Sequence, residues 1–193
     1  MAALPARQAR GYERVEQILR AALTVIAREG VAGVTHRTVA EEAGVPLGSL
    51  TYYFASKQDL LRDALRLHVH EDVGRLRELT DALLASGATG EQVVDAFIAQ
   101  FEAGTPDVAQ FELYLEAARD PELAEVATES LRAYQEVAEL ALRAAGVGDP
   151  AAAAGMVVAM IDGVGVHQAA ASEQAPELRA VLPVLLRALR SPA

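Results

Sequence analysis

The sequence predicts an all-α protein in which a short helix-turn-helix precedes a larger helical region. Apolar residues recur three and four positions apart along most of the 193-residue chain, which is the spacing of amphipathic helices. No run of residues alternates between apolar and polar side chains, as a half-buried strand would. Between residues 35 and 57 a glycine-containing turn separates two short apolar stripes, an arrangement typical of a helix-turn-helix.

The two short helices carry recognisable start and stop signals. Thr35 is expected to cap the first helix, since its hydroxyl can accept a hydrogen bond from an N–H group of the first turn. Gly44 is expected to end this helix, because a residue without Cβ adopts the left-handed backbone most easily. Pro46 can begin a helix but cannot continue one, so the second helix is predicted to start at about Leu47.

The second helix divides into a buried and an exposed face. At about 100° per residue, Leu50 and Phe54 share the buried side. Leu47 lies near that side, but its terminal position would let it contact a thymine methyl group. The alternative is a short amphipathic helix whose tyrosines only cover a core. The residues predicted to point outward are Gly48, Ser49, Thr51, Tyr52 and Tyr53.

The segment GVPLGSLTYYFASKQDLL, which follows a long amphipathic helix, closely resembles the DNA-binding segment of the tetracycline-repressor (TetR) family of transcriptional regulators. The resemblance covers about the first 65 residues and extends only to the layout of the helices beyond them. Pro46 stands where the family usually has a small polar cap, and Thr51 stands where it often has tyrosine. The matching positions are residues 43–45, Gly48, Leu50, Tyr53, Phe54, Lys57 and Leu60.

The resemblance implies a helix-turn-helix DNA-binding domain of three helices over residues 1–56 and a helical ligand-binding and dimerisation domain over residues 57–193. It also implies a homodimer that binds a double-stranded, palindromic DNA operator and is released by a small-molecule effector. In the family the aromatic pair and the lysine hold the DNA backbone, and exposed positions of the second helix contact bases. The expected DNA-binding residues are His36, Arg37, Thr38, Leu47, Gly48, Ser49, Thr51, Tyr52, Tyr53 and Lys57.

Composition and charge narrow the possible functions. The chain has no cysteine, which excludes disulfides, thiolate catalysis and cysteine-ligated zinc. Its net charge of −10 is unevenly distributed, because residues 1–70 carry 9 Lys/Arg and 7 Asp/Glu whereas residues 71–193 carry 8 and 20. A nearly neutral N-terminal region can contact phosphates through a few cations, and the acidic remainder disfavours other orientations on DNA. The N-terminus has no apolar signal segment, so a cytoplasmic location is expected.

Two features near the ends of predicted helices have alternative explanations. Arg7, Arg10 and Arg14 gather at the start of the first long helix, and form either an arm close to a phosphate or an ordinary solvated helix end. His68 and His70 are two positions apart on a helix and point about 200° from each other. No metal site is therefore expected there.

The remaining chain is predicted to be helical throughout. A strong helix is expected over residues 12–29, and Ser56 is expected to cap a long helix that reaches about Leu84. Residues 86–90 break the pattern and form the predicted linker. Further helices are expected over residues 91–102, from Pro106 to about Arg119, from Pro121 to Gly146, over residues 151–171, and after Pro176.

The apolar segment over residues 151–171 is long enough to raise the question of a membrane span. Asp162 near its centre would cost roughly 2.5–3.5 kcal/mol on insertion, so a buried helix of a soluble protein is favoured and no membrane association is expected. Small residues recur every four positions and form a smooth ridge. The last two helices are predicted to form a four-helix dimer interface with their copies, and packing within the chain is the alternative. The expected interface residues are Ala151, Gly155, Ala159, Gly163, Leu178, Val181, Leu182 and Leu185.

Large, adaptable side chains mark where an effector cavity is expected, although each of them also suits an ordinary core. Asp162, His167 and Gln168 are polar groups on an apolar helix, and they either orient a ligand or face solvent or the partner subunit. The candidate ligand-binding residues are Phe97, Phe101, Phe111, Tyr114, Met156 and Met160.

Three classes of function were compared. A ligand-responsive DNA-binding regulator, most often a repressor in this family, is favoured. An enzyme is not expected, because the sequence has no nucleophile–base spacing, phosphate-binding loop or metal cluster, and no cofactor is expected. A helical interaction protein whose helix-turn-helix no longer binds DNA is the third possibility. The dependence of DNA affinity on salt distinguishes the first class from the third.

Overall fold

The computed structural model describes residues 6–104, 107–171 and 173–190, and the side chains of these residues from 11 to 189. This part of the chain contains nine α-helices and one 3₁₀ turn and no strand, which confirms the predicted all-α class. In chain order the elements are α1 (Ala6–Glu29), the 3₁₀ turn (Val31–Gly33), α2 (His36–Ala43), α3 (Leu47–Tyr53), α4 (Lys57–Ala85), α5 (Gly90–Glu102), α6 (Val108–Ala117), α7 (Pro121–Ala144), α8 (Pro150–Ala171) and α9 (Leu178–Arg190).

Most helix ends follow the signals in the sequence. Ser56 caps α4, since its Oγ accepts from the Asp59 N–H at 3.0 Å while the Asp59 carboxylate accepts from the Ser56 N–H at 3.0 Å. Thr89 and Gln92 form the same reciprocal cap at the start of α5, which the sequence analysis had placed inside a linker. α1 begins earlier than predicted, at Ala6. Two of the predicted features, the side chains of Arg7 and Arg10 and the helix start at Pro106, lie outside the described residues.

The first compact unit combines Met1–Val69 with Val108–Thr128. Its core is built from the apolar faces of α1, α2, α3, α6 and the starts of α4 and α7. α6 packs against α1 and the 3₁₀ turn, although 50 residues or more separate it from the helix-turn-helix in sequence. The most completely buried large side chains of this unit are Ile18, Val25, Ile26, Val34, Val39, Leu50, Leu60, Leu65, Leu113 and Leu123.

The second compact unit combines His70–Asp107 with Glu129–Ala193. α4 and α7 each contribute residues to both units, so packing divides the chain differently from the predicted functional boundary between residues 56 and 57, which stays a prediction. The core of the second unit joins α5, α7, α8 and α9. Its buried residues are Ile98, Leu142, Val147, Ala153, Ala154, Val157, Val164, Leu178, Leu182 and Leu186.

α8 is far less buried than the sequence suggests. By length and composition it passes the criteria for a membrane span, but only 28% of its most apolar window lies inside the protein. Its buried residues occupy one side, and an apolar row with steps of four and three residues lies on the exposed side. This row, called the α8 stripe below, consists of Ala152, Met156, Ala159, Gly163, Val166 and Ala170.

Candidate nucleic-acid interface

The turn between α2 and α3 is built as the sequence predicts. The Thr35 side chain accepts from the Thr38 N–H at 3.0 Å, and Thr38 Oγ1 accepts in return from the Thr35 N–H at 2.9 Å. At the other end of α2, Gly44 has a φ of 62°, in the left-handed region that a side chain would strain. The Val45 N–H then donates to the Ala40 carbonyl at 3.0 Å, which closes the helix end. Both ends of α2 are therefore fixed by local hydrogen bonds.

α3 presents the predicted outward face. Leu50 and Phe54 are fully buried beneath it, whereas Tyr52 is 82% exposed and Leu47 is half exposed. The rings of Tyr52 and Tyr53 meet edge to face, with centroids 5.1 Å apart and planes at 82°. The pair presents aromatic surface and two hydroxyl groups on the outside of α3. It suits contact with bases and phosphates better than a solvated helix face does.

The other residues of the outward face are small. A Cβ added at Gly48 would meet no atom within 4 Å, so another molecule can approach the backbone closely at this point. Thr51 is exposed, and its hydroxyl donates to the Leu47 and Gly48 carbonyls, each at 3.3 Å. The face therefore offers hydroxyl and apolar groups but no amide or guanidinium for bidentate base contacts.

The three predicted DNA-binding residues at the start of α2 differ in whether their polar groups can contact DNA. His36 Nε2 lies 3.1 Å from the Phe54 carbonyl, and Thr38 Oγ1 donates to the Gly33 carbonyl at 2.9 Å, so both serve the internal fold. Arg37 is exposed and forms an ion pair at 2.9 Å with the exposed Glu41. Of the three, Arg37 has the side chain most able to exchange its partner for a phosphate.

Lys57 is engaged inside the protein. Its Nζ donates to the Val31 carbonyl at 2.6 Å, at the 3₁₀ turn that precedes α2. On the other side of the same residue, Glu112 Oε2 on α6 lies 3.5 Å from the Val31 N–H, at the long limit of a hydrogen bond. Glu112 was missed by the sequence analysis, because no local pattern signals a contact across 81 residues. α4 and α6 thus both hold the 3₁₀ turn between α1 and α2.

The six predicted ligand-binding residues are divided between the two units. Phe97 is half-buried on α5, Phe101 and Met160 pack against the core of the second unit, and Met156 is 49% exposed on the α8 stripe. Phe111 and Tyr114 lie on α6 in the first unit. A polar network that the sequence analysis missed connects α4 with α6, where the Gln110 amide oxygen lies 3.0 Å from His68 Nε2 and its Nε2 donates to the Tyr114 hydroxyl at 3.1 Å.

The predicted dimer residues also separate into two groups. Leu178 and Leu182 are 3% and 4% exposed and belong to the core of their own unit, so their assignment to an interface is corrected. Sequence periodicity identified their apolar stripe but could not tell which surface covers it. Val181 and Leu185 are partly buried against the same core. On α8, Ala151, Ala159 and Gly163 are exposed and Gly155 is partly buried.

Asp162 is a partly buried carboxyl group on α8, and burial raises its pKa to about 6. Desolvation is the cause, because removing the carboxylate from water disfavours its charged form. Folding therefore becomes less favourable as the pH rises from the ordinary value of 3.8 to about 6, and the penalty is complete above that. At neutral pH the group destabilises the folded state.

Replacing Asp162 with asparagine is expected to remove this pH dependence. The shift corresponds to about 1–2 kcal/mol after allowance for the water that still reaches the carboxyl. Asp162→Asn should therefore be more stable than the wild type by about that amount at pH 7, and the difference should disappear near pH 4. Denaturant unfolding between pH 4 and pH 8 measures this difference in the free energy of unfolding. The matched control is Asp81→Asn, at an exposed position, which is expected to follow the wild-type pH profile. Equal pH profiles of stability for the wild type and both variants would contradict a raised pKa at Asp162.

A capped, turn-linked helix pair with an exposed aromatic face defines a helix-turn-helix DNA-binding protein. The family described as "Bacterial regulatory proteins, tetR family" matches residues 18–64. The family described as "Tetracyclin repressor-like, C-terminal domain" matches residues 91–191, which is more than half of the chain. The chain belongs to the TetR family of transcriptional regulators.

Relatives and solved structures agree with this assignment. The nicotine-responsive transcriptional repressor HdnoR of Paenarthrobacter nicotinovorans is 29% identical over 135 residues, which are 69% of this chain and 70% of HdnoR. The repressor KstR2 of Rhodococcus jostii is 31% identical over 99 residues, which are 51% of this chain and about half of KstR2, at 48%. These relatives are transcriptional repressors rather than enzymes, as was expected for this chain.

Two solved structures cover nearly the whole chain. A TetR-family member from Streptomyces coelicolor A3, SCO1917, is 34% identical with a TM-score of 0.70, and the match covers 93% of this chain and 99% of that one. The multidrug binding protein EbrR, solved with ethidium, is 33% identical with a TM-score of 0.68, and the match covers 92% and 99% of the two chains. The fold of this chain is therefore that of the family.

Proposed function

We propose that this protein is a transcriptional repressor that binds a palindromic operator as a homodimer and leaves it when a small aromatic effector binds. The observation that carries the proposal is the exposed face of α3, where Tyr52 and Tyr53 stand beside Gly48 above a fully buried Leu50. In a helix-turn-helix the second helix enters the major groove, and its exposed residues contact base edges. Hydroxyl groups, thymine methyl contacts and DNA shape then supply the specificity.

A second copy of the chain is the proposed partner for α8. The α8 stripe is apolar, exposed and spaced by four and three residues, which is the pattern of helices that pack side by side. Ala159 and Gly163 at its centre allow close approach of the two helix backbones. On α9, Val184 is an exposed apolar residue that can extend the same interface. A two-fold pair also explains how one short recognition helix reads enough sequence, because two half-sites are bound at once.

The proposed effector is an aromatic small molecule. HdnoR is described as nicotine-responsive, and EbrR has been solved with ethidium, malachite green and proflavin. In this chain, Phe97 and Phe101 on α5 and Met160 on α8 provide partly buried, adaptable surface of the kind that binds aromatic rings. The excess of acidic residues in residues 71–193 favours neutral or cationic molecules over anions.

Coupling between effector and DNA is proposed to run through α6. This helix lies in the region that matches the family's C-terminal domain, yet it packs against α1 and the 3₁₀ turn. A displacement of α6 moves Glu112 away from Val31, whose carbonyl is held by Lys57. An effector that binds the displaced arrangement more tightly shifts the protein towards it and so lowers the affinity for DNA. The decrease is limited by the ratio of the effector's affinities for the displaced and the DNA-binding arrangements. A DNA-binding regulator acts where the DNA is, so we propose a cytoplasmic location.

Selection of bound duplexes from a random DNA library tests the proposal. The protein is expected to enrich one sequence with two-fold symmetry, and the logarithm of its affinity should fall linearly with the logarithm of salt concentration. Aromatic cations such as malachite green are first tested for binding to the protein without DNA, and those that bind are then tested for release of the selected duplex, because an intercalating dye such as ethidium also displaces proteins by binding the DNA itself. Failure to enrich any sequence at low salt would favour the alternative function, a helical interaction protein whose helix-turn-helix no longer binds DNA.

A further inference from the structure

Most cationic side chains in the described part of the first unit are already neutralised. It contains eight Lys and Arg residues with described side chains, and six of the arginines form ion pairs with carboxylates. Arg14 and Lys57 form none with the described residues, and both hydrogen-bond to neutral groups. The six paired arginines are Arg20, Arg28, Arg37, Arg62, Arg66 and Arg119.

One unneutralised cation is linked to the end of α2, and the other is linked to the 3₁₀ turn that precedes α2. Arg14 Nη1 donates to Gln17 Oε1 at 3.3 Å, and Gln17 Nε2 donates to the Ala43 carbonyl at 2.7 Å, at the last residue of α2. Lys57 Nζ donates to the Val31 carbonyl, just before α2 begins. Arg14 is therefore linked through Gln17 to the last residue of α2, next to the α2–α3 turn.

We propose that Arg14 binds a DNA phosphate beside the α2–α3 turn and that Gln17 is the residue that positions it. This inference rests on the proposed function, since it assigns a further contact to the same DNA-binding surface. The first helix of a helix-turn-helix crosses the DNA backbone, so a cation held at its end meets a phosphate rather than a base. A guanidinium donates two parallel hydrogen bonds to a phosphate and so fixes the orientation of the protein on the duplex.

The role of Gln17 follows from its two contacts. Its amide oxygen accepts from Arg14 and its amide nitrogen donates to the end of α2, so it connects the guanidinium to the turn that sets the position of α3. The contact leaves the positive charge of Arg14 intact, whereas a carboxylate partner would oppose binding to a phosphate. Glutamine therefore orients the arginine without neutralising it.

A salt titration of two matched variants tests the assignment. Arg14→Gln and Arg20→Gln each remove one positive charge from α1, and the DNA probe is the duplex that the wild type selects from a random library, beside an unrelated duplex. For Arg14→Gln, the slope of log affinity against log salt is expected to decrease by about one per subunit, with similar losses on both duplexes. Arg20→Gln is expected to keep the wild-type slope. Equal slopes for the two variants would overturn the inference.

A double-mutant cycle tests the positioning role of Gln17. Gln17→Leu is expected to weaken DNA binding several-fold in the wild-type background and to have no further effect in Arg14→Gln. An equal loss in both backgrounds would show that Gln17 acts only by holding α2, and would overturn its assigned role. Wild-type protein without salt-dependent DNA binding would overturn the proposed function as well, whereas wild-type binding with an unchanged Arg14→Gln slope overturns the inference alone.

Discussion

Replacing Ala159 with arginine is expected to produce a folded monomer that has lost most of its affinity for the operator. Ala159 is exposed at the centre of the α8 stripe, so a long side chain there meets no atoms of its own core. In a two-fold interface each copy would bring an unpaired cation into an apolar contact, which costs several kcal/mol. Losing the second half-site then lowers DNA affinity by roughly 10²–10⁴-fold, because the two halves no longer bind as one unit.

Sedimentation and operator binding measure this effect together. The matched control is Ala99→Arg, which adds the same side chain at an exposed position of α5, away from the stripe. The control is expected to remain dimeric and to bind the selected duplex as the wild type does. Circular dichroism and thermal melting should show both variants folded. A dimeric Ala159→Arg protein with full affinity would exclude α8 as the interface.

Replacing Tyr52 with alanine is expected to abolish much of the discrimination between operator and random DNA while the fold keeps its stability. The side chain is 82% exposed and its ring contacts Tyr53, so stability should change by no more than about 0.5 kcal/mol. A specific base contact contributes about 1–3 kcal/mol of discrimination, and the operator contains two copies of it. The ratio of specific to non-specific affinity should therefore fall by roughly 30-fold or more.

Two further variants separate the sources of this effect. Tyr52→Phe keeps the ring and removes the hydroxyl, so a full loss of discrimination in this variant would assign the contact to the hydroxyl. Leu115→Ala on α6 removes an exposed apolar side chain of the same unit and is expected to leave the affinity ratio unchanged. If Tyr52→Ala retains the wild-type preference for the operator, the outward face of α3 does not read bases.

The features of the DNA-binding surface that could be predicted from sequence are those set by residues close together in the chain. Thr35, Gly44 and Pro46 act on backbone groups within a few residues, and helical geometry alone places Leu50 inward and Tyr52 outward. These features follow from residue type and spacing. For the same reason the first residue of α3 was predicted correctly.

The parts that could not be predicted depend on contacts between distant segments. Periodicity showed that Leu178 and Leu182 lie on an apolar stripe, but only the packed chain shows that their own core covers it. The partner of Lys57 is a backbone carbonyl, and no sequence pattern marks one carbonyl among many. α8 is apolar all round, so its sequence does not show which side is exposed. The burial of its other side identifies the α8 stripe.

α6 limits where this chain can be cut to make fragments or hybrids with other family members. By sequence it falls within the C-terminal family match, but by packing it belongs to the compact unit that contains α2 and α3. A fragment cut after residue 56 would expose the surface of α1 that α6 covers and would lose the acceptor that Glu112 offers to Val31. A hybrid that gives this DNA-binding segment the sensor of another family member must therefore keep α6 as well. The part of this chain that must be transferred together is therefore discontinuous in sequence, and a hybrid joined at a single junction would separate its two segments.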